Sequence, residues 1–388
     1  MKQYQSFLIF IVLYLVVSVF IWKKYSWNIT SQVHFGEEFA KQNSSKMPIG
    51  AIVEKGSADD LGAGYDGQIF YFYSRTISEL SLDWPKGFDE SYRAPRIGYP
   101  LLIGIFGFLG RNAAILGMYF LNLGLLYLSF LAIRELLGKQ KHLAIFYLLS
   151  PFALGSYSVL VSDSVMTSLV VLAYYFMVKK RYLFFILISS LAILTKEPAL
   201  FLFFPLGLVA LIEKRWKEAL VVLATLIIPI LWQGYLKITF PNWSATRLTD
   251  FLTPAEGIYT YIKSFGNTNI ENWKELARLS SRIPLLALLG LGIITLFTGN
   301  FRKGLVFRIG LVLNFFMIVT ASHYHFWSVY ENISRMFTVS IPLMIFLKKE
   351  DEEAKVEPYL WLSIFILVLF LIKVIFIQKA QGYSIWTG

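Results

Sequence analysis

The sequence contains no cysteine, and this absence excludes disulfide bonds, thiolate catalysis and cysteine-based metal sites. Histidine is also scarce: there are four in 388 residues, and only His323 and His325 are close in sequence. Their spacing is reminiscent of metal ligation, but no Cys or further His lies at ligand spacing. The adjacent Tyr324, Phe326 and Trp327 favour instead an aromatic belt at a membrane interface.

Charge is sparse as well, because only 16% of the residues are charged while 56% are hydrophobic. The mean hydropathy is +0.58, and apolar runs recur without polar intervals long enough for a soluble domain. This pattern predicts a polytopic membrane protein. The first run, Ser6 to Trp22, has only Lys2 before it and no small-residue cleavage site after it, so we predict a retained span rather than a signal peptide.

The net charge of +11 does not indicate a nucleic-acid partner, because the basic residues are scattered between apolar runs instead of forming one stripe. Their placement follows the rule that cytoplasmic loops of membrane proteins are basic. The basic groups of the predicted inner loops are Arg134/Lys139/Lys141, Lys179/Lys180/Arg181, Lys214/Arg215/Lys217, Arg302/Lys303/Arg308 and Lys348/Lys349/Lys355. We interpret the charged stretch from Lys348 to Glu357 as a solvated inner loop.

The predicted fold class is all-α: a polytopic transmembrane helical bundle of about eleven spans, with two large outer loops. Residues 1–236 comprise a transmembrane module with the first outer loop (23–96), and residues 237–388 comprise the second outer loop (237–282) and the C-terminal transmembrane helices. The run from Ile97 to Leu109 is too short to span, and we place it at the interface or dipping into the membrane. Counting it as a full span would invert every later loop and break the charge rule.

The first outer loop contains the stretch most typical of a site. Asp66 lies between glycines, at Gly62, Gly64 and Gly67, which allow a close backbone approach or a positive φ. We therefore expect the carboxylate to be held on a turn, where it could act as a general base or bind a hard cation such as Mg or Mn. A simple Asx-turn is the alternative. Tyr65, Gln68, Arg93 and Arg96 lie in the same loop and are candidate substrate-binding residues.

Further charges fall on the same outer side: Asp163 before the fourth span, Lys196 and Glu197 after the fifth, and Arg335 before the tenth. Lys196 and Arg335 border apolar helices and need partners, which a lipid phosphate could provide. The alternatives are an N-cap role for Asp163, snorkelling of Lys196 to the interface, and pairing of Arg335 with Glu331. Asp163 could also join Asp66 as a second catalytic or metal-binding carboxylate.

Several short motifs occur in an order that resembles the GT-C superfamily of membrane glycosyltransferases. The matching pieces, all within roughly residues 1–215, are Tyr65-Asp66-Gly67-Gln68, Arg96-Ile97-Gly98-Tyr99-Pro100-Leu101-Leu102, Leu149-Ser150-Pro151, Asp163 and Leu194-Thr195-Lys196-Glu197-Pro198. The layout is similar to that of the protein mannosyltransferase and aminoarabinose transferase group. These enzymes take their sugar from a polyprenyl-phosphate carrier.

The resemblance implies a site and an activity, which we state as expectations. Asp66 would be the catalytic acidic residue of the first loop and Asp163 its partner, while Lys196 and Arg335 would face the lipid phosphate. The donor would be a polyprenyl-phosphate-linked sugar, and the acceptor a glycan, lipid or protein of the cell envelope. Transfer would take place on the extracytoplasmic side of the cell membrane, with the N-terminus in the cytoplasm.

Two rival functions share these surfaces. A transporter or flippase for a lipid-linked saccharide would need a path across the membrane, but most spans lack an ionisable residue near their centre and no half of the sequence repeats. A non-catalytic scaffold of envelope-polymer assembly would tolerate substitution of Asp66 and Lys196. A nucleotide-sugar donor is disfavoured, because no predicted inner loop is long enough for a phosphate-binding βα unit of more than about 30 residues.

Overall fold

The structure is a computed structural model that describes residues 3–56, 64–81, 83–240, 253–268 and 272–388. Gly62, which the sequence analysis placed beside Asp66, lies outside these residues, and so do two parts of the predicted second outer loop. Within the described ranges the chain is mainly helical, as predicted.

Twenty α-helices follow one another along the described parts of the chain. They are α1 Gln3–Lys24, α2 Glu37–Gln42, α3 Asp66–Ser78, α4 Glu90–Arg93, α5 Gly98–Gly107, α6 Arg111–Leu137, α7 Ala144–Leu148, α8 Pro151–Ser158, α9 Asp163–Val178, α10 Tyr182–Thr195, α11 Leu200–Ile212, α12 Trp216–Ala224, α13 Ile227–Thr239, α14 Glu256–Gly266, α15 Trp273–Ser280, α16 Ile283–Leu296, α17 Leu305–Thr320, α18 Tyr330–Arg335, α19 Ser340–Glu350 and α20 Glu357–Ile372. Two π-helical turns, His323–Trp327 and Lys373–Ile377, precede α18 and follow α20.

Five helical stretches among the described residues are long and apolar enough to cross a membrane. They are Gln3–Lys24, Arg111–Leu148, Trp216–Thr239, Glu275–Leu296 and Glu357–Ile377. Shorter apolar helices, including α5, α9, α10 and α17, accompany them. Because a straight span needs about 20 residues, these shorter helices do not qualify by length alone.

The predicted first outer loop is a folded region rather than an open loop. It contains α2, α3 and α4 and two strands, β1 Phe35–Gly36 and β2 Ile52–Glu54, which pair in parallel. The third strand, β3 Tyr383–Ile385, comes from the end of the chain and pairs antiparallel to β2. The prediction of an all-α protein missed this sheet, because strands of two or three residues carry no recognisable periodicity.

The predicted third span, His142 to Tyr157, is not one continuous helix. It divides into α7 and α8, and α8 begins at Pro151, where the missing backbone N–H of proline costs nothing. The Ser150 hydroxyl caps α8 by accepting a hydrogen bond from the Ala153 backbone N–H at 3.3 Å. Leu149-Ser150-Pro151 therefore ends one helix and starts the next.

The stretch from Lys348 to Glu357 is not fully solvated as we predicted, because Asp351 is buried. Its carboxylate lies 2.6 Å from the Arg308 guanidinium, and the two side chains are 0% and 3% exposed. Arg308 also donates to the backbone oxygens of Leu296 and Thr298. Arg308 is thus part of a buried ion pair between α17 and the end of α19, not a solvated loop residue.

Candidate functional site

Five charged residues that the sequence analysis singled out lie at helix ends that suit their charge. Asp66 and Asp163 begin α3 and α9, where the helix dipole favours a carboxylate. Arg93 and Arg335 end α4 and α18, and Lys196 follows the last residue of α10, where a cation is favoured. Asp66 is therefore in the first helical turn rather than on the isolated turn we expected.

Arg335 lies at the centre of this cluster and contacts both carboxylates. Its Nη1 and Nη2 atoms donate to Oδ2 of Asp66 at 3.2 and 3.3 Å, and Nη1 lies 3.5 Å from Oδ2 of Asp163. Arg93 approaches the other oxygen of Asp66, with 3.4 Å between Nη1 and Oδ1. Asp66 thus bridges two guanidinium groups that come from distant parts of the sequence.

Lys196 completes the cluster through Asp163. Its Nζ atom donates to Oδ1 of Asp163 at 2.5 Å, so neither snorkelling of Lys196 nor an N-cap role for Asp163 describes this arrangement. The Asp163 side chain is only 4% exposed, whereas that of Asp66 is 31% exposed. Asp66 is therefore the more accessible of the two carboxylates, and the buried Asp163 contacts both Lys196 and Arg335.

A backbone contact explains why glycine follows Asp66. A Cβ atom at Gly67 would lie 2.7 Å from the backbone oxygens of Val33 and Val159, so a side chain there would push α3 away from both segments. Val159 follows the last residue of α8 and lies four residues before Asp163. The close approach allowed by Gly67 thus brings the starts of α3 and α9 together.

Tyr65 and Asn332 support Arg335 from one side. The Arg335 guanidinium lies 4.9 Å from the centroid of the Tyr65 ring, and the Tyr65 hydroxyl donates to Oδ1 of Asn332 at 2.5 Å. The same Oδ1 accepts from Nη2 of Arg335 at 3.3 Å. The sequence analysis missed Asn332, and no local signal except its place one turn before Arg335 could have indicated it.

Glu331 does not pair with Arg335, which was one alternative for that arginine. Glu331 instead forms an ion pair with Lys373, in the π-helical turn after α20. Lys373 was also missed, because a lysine near the end of the last span is indistinguishable in sequence from an ordinary interfacial residue.

Arg96 and Glu197 form a second pair beside the cluster. Nε of Arg96 donates to Oε1 of Glu197 at 2.9 Å, and its guanidinium lies 4.0 Å from the centroid of the Tyr92 ring. The Glu197 side chain is exposed, whereas that of Arg96 is mostly buried. Glu197 is the residue after Lys196, and Arg96 follows Arg93 by three residues.

Gln68 is placed differently from the other candidates. Its side chain is fully buried, and its Oε1 accepts from the Gly36 backbone N–H at 2.9 Å. This bond joins β1 to the first turn of α3. Gln68 therefore supports the backbone around Asp66, and no part of it is exposed to a ligand.

The electrostatics of the cluster keep Asp66 ionised. Partial burial raises the pKa of Asp66, but the charges of Arg335, Arg93 and Lys196 outweigh this and hold that pKa below its usual range. Burial raises the pKa of Tyr65, so its hydroxyl keeps its proton and remains a donor to Asn332. The cluster joins three cations to two carboxylates and has a net positive charge.

The donor set does not fit a resident divalent cation. Mg²⁺ and Ca²⁺ take about six or more oxygen ligands, and the carboxylates among them must be free to face the metal. Asp66 and Asp163 are neutralised by three cations, and no group of three or more His, Asp or Glu residues within the described ranges could hold a metal. His323 and His325 lie in a π-helical turn without a third ligand from those ranges.

Two buried polar atoms at the centre are left without hydrogen bonds among the residues that the structure describes. They are Oδ2 of Asp163 and Nε of Arg335. Oδ2 of Asp163 can only accept a hydrogen bond, and Nη1 of Arg335 lies 3.5 Å from it, whereas Nε of Arg335 is a buried donor. The unsatisfied Nε donor and the net positive charge of the cluster both suit an anionic ligand. No family model matches the chain, and comparisons with curated proteins and with solved structures gave no match.

Proposed function

We propose that this protein is an integral-membrane glycosyltransferase that moves a sugar from a polyprenyl-phosphate carrier to an acceptor on the outer face of the cell membrane. One observation carries the proposal. Five residues from separate stretches, Asp66, Arg93, Asp163, Lys196 and Arg335, form one cluster with an accessible carboxylate and a net positive charge. This is the combination that transfer from a phosphate leaving group needs.

In the proposed reaction the acceptor hydroxyl attacks the anomeric carbon of the donor. The bond between that carbon and the phosphate oxygen breaks, and its electron pair leaves with the polyprenyl phosphate. Arg335, Arg93 and Lys196 stabilise the charge that develops on this leaving group. Asp66 orients the acceptor and takes its hydroxyl proton. A single displacement of this kind inverts the configuration at the sugar carbon.

Asp66 is a weak base while two guanidinium groups hold it, because a lowered pKa favours the ionised form. The donor phosphate competes with Asp66 for the same two groups. When the phosphate takes part of the charge of Arg335 and Arg93, the basicity of the Asp66 carboxylate rises. Binding of the donor thereby prepares Asp66 to accept the proton.

The proposed membrane arrangement has about eleven crossings, with the shorter apolar helices tilted or in a locally thinned bilayer. It has the N-terminus in the cytoplasm and the cluster outside. The pairing of β3 with β2 supports the same relation, since it places the C-terminus at the end of the molecule where α1 finishes. An odd number of crossings follows if α1 starts on the cytoplasmic side.

Single cysteines test this arrangement without background, because the natural chain has none. Gly388→Cys and Asn267→Cys should react with an impermeant thiol reagent in intact cells. Lys139→Cys should react only after the membrane is permeabilised. The proposed orientation would be contradicted if Lys139→Cys were labelled in intact cells, or if Gly388→Cys were not.

The donor is tested with purified protein and an envelope acceptor fraction. We expect transfer from a radiolabelled polyprenyl-phosphate sugar and none from the matching nucleotide sugar. Efficient transfer from the nucleotide sugar without a lipid intermediate would contradict the proposed donor. Transport of the lipid-linked sugar across vesicles, with no product on the acceptor, would instead indicate a flippase.

A further inference from the structure

The short helix α18 carries Arg335 at its last residue, and its first half contacts two π-helical turns. A helix of six residues is not stable by itself, so its position depends on these contacts. One π-helical turn, His323–Trp327, precedes it, and the other, Lys373–Ile377, packs beside it. Such turns are rare and are frequently found near functional sites.

Each π-helical turn holds one side chain of α18. Nδ2 of Asn332 donates to the backbone oxygen of His325 at 2.7 Å, within the first turn. Lys373, the first residue of the second turn, forms an ion pair with Glu331. Neither Glu331 nor Lys373 contacts the carboxylates of the cluster, yet Glu331 is next to Asn332, which touches both Tyr65 and Arg335.

The second turn is itself fixed to the outer region. Lys24, at the end of α1, donates to the backbone oxygen of Val374, and β3 begins a few residues later and pairs with β2. The position of Lys373 is therefore set by α1 and by the sheet. The ion pair between Lys373 and Glu331 in turn fixes α18, and α18 carries the Arg335 guanidinium at its end.

We propose that Glu331, Asn332 and Lys373 are positioning residues that hold Arg335 where it can bind the anionic group of the substrate. The inference rests on the proposed function, and it adds residues that no sequence motif indicated. Lys373 acts from the last helix, through the ion pair with Glu331, on a site built mainly from the first half of the chain. Loss of this pair lets α18 move without removing any group that touches substrate.

The kinetic test uses Lys373→Met, Glu331→Gln and the exchanged pair Glu331→Lys with Lys373→Glu. Arg335 binds the donor phosphate before and during the reaction, so we expect each single variant to raise the donor KM by roughly tenfold. The exchanged pair should bring the donor KM back close to the wild-type value. Lys179→Met is the matched control, because it breaks an exposed ion pair with Glu135 far from α18 and should leave KM unchanged.

A second measurement does not depend on activity. In the absence of donor, Lys373→Met should speed backbone hydrogen exchange in residues 330–335 and leave α9 unchanged. Unchanged exchange in 330–335, or single variants with the donor KM of the wild type, would overturn the positioning role. Faster exchange together with a wild-type protein that transfers no sugar would leave the positioning role standing and contradict the proposed function.

Discussion

Asp66→Asn is expected to lower the rate of sugar transfer by roughly 10²- to 10⁴-fold, the usual contribution of a general base. Asparagine keeps the shape of the side chain and can still face Arg335 and Arg93. It removes one negative charge from the cluster, so the donor phosphate should bind as well as before or more tightly. The loss should therefore be seen in kcat, with a donor KM that is unchanged or lower.

Glu37→Gln is the matched control, since Glu37 also begins a helix in the folded region between α1 and α5 and, among the described residues, pairs with the exposed Lys41. It should transfer sugar at the wild-type rate. The thermal midpoints of all three proteins should be compared in the same detergent, so that misfolding is recognised. A folded Asp66→Asn protein with full transfer activity would remove Asp66 from the mechanism.

The second large effect concerns stability rather than activity. Asp351→Ala should lower the free energy of unfolding by about 3–5 kcal/mol, because Arg308 would be left as a buried charge without its partner. Asp351 also accepts from the Asn300 backbone N–H at 2.8 Å, and this bond would be lost too. Denaturant unfolding in detergent measures the change.

Replacing Glu350 with alanine provides the contrast one residue away. Glu350 pairs with Lys349 in an exposed position, where an ion pair contributes about 0–1 kcal/mol. If both alanine variants unfolded at the same denaturant concentration, the pair between Arg308 and Asp351 would not be a buried structural contact. Neither Asp351 nor Glu350 belongs to the cluster around Asp66, so the folded fraction of both variants should transfer sugar at the wild-type rate.

The sequence indicated much of the candidate site because its residues follow simple rules. Asp66, Asp163, Lys196 and Arg335 each flank an apolar or aromatic run, and charges at such borders must find partners. Because all four were predicted to lie on the same side of the membrane, contacts among them could be expected. The sequence did not supply the pairing, since an ion pair between Arg335 and Glu331, four residues earlier, fitted the sequence equally well.

The misses share a physical cause: they depend on contacts between residues far apart in the chain. Arg308 resembles any basic residue of an inner loop, and only the packing of α17 against α19 removes it from water. Gln68 lies two residues after Asp66 in a motif, but its direction on α3 buries it against β1. Asn332 and Lys373 matter through their partners, and no local pattern identifies those partners.

The pairing of β3 with β2 has a consequence for how the protein is made. The Gln381 backbone N–H donates to the Tyr25 hydroxyl, 356 residues earlier in the chain. During synthesis the N-terminal region emerges first and must remain incomplete until the final strand arrives. Until β3 has been synthesised, β2 has β1 on one side and an unpaired edge on the other, and such an edge is open to pairing with other chains.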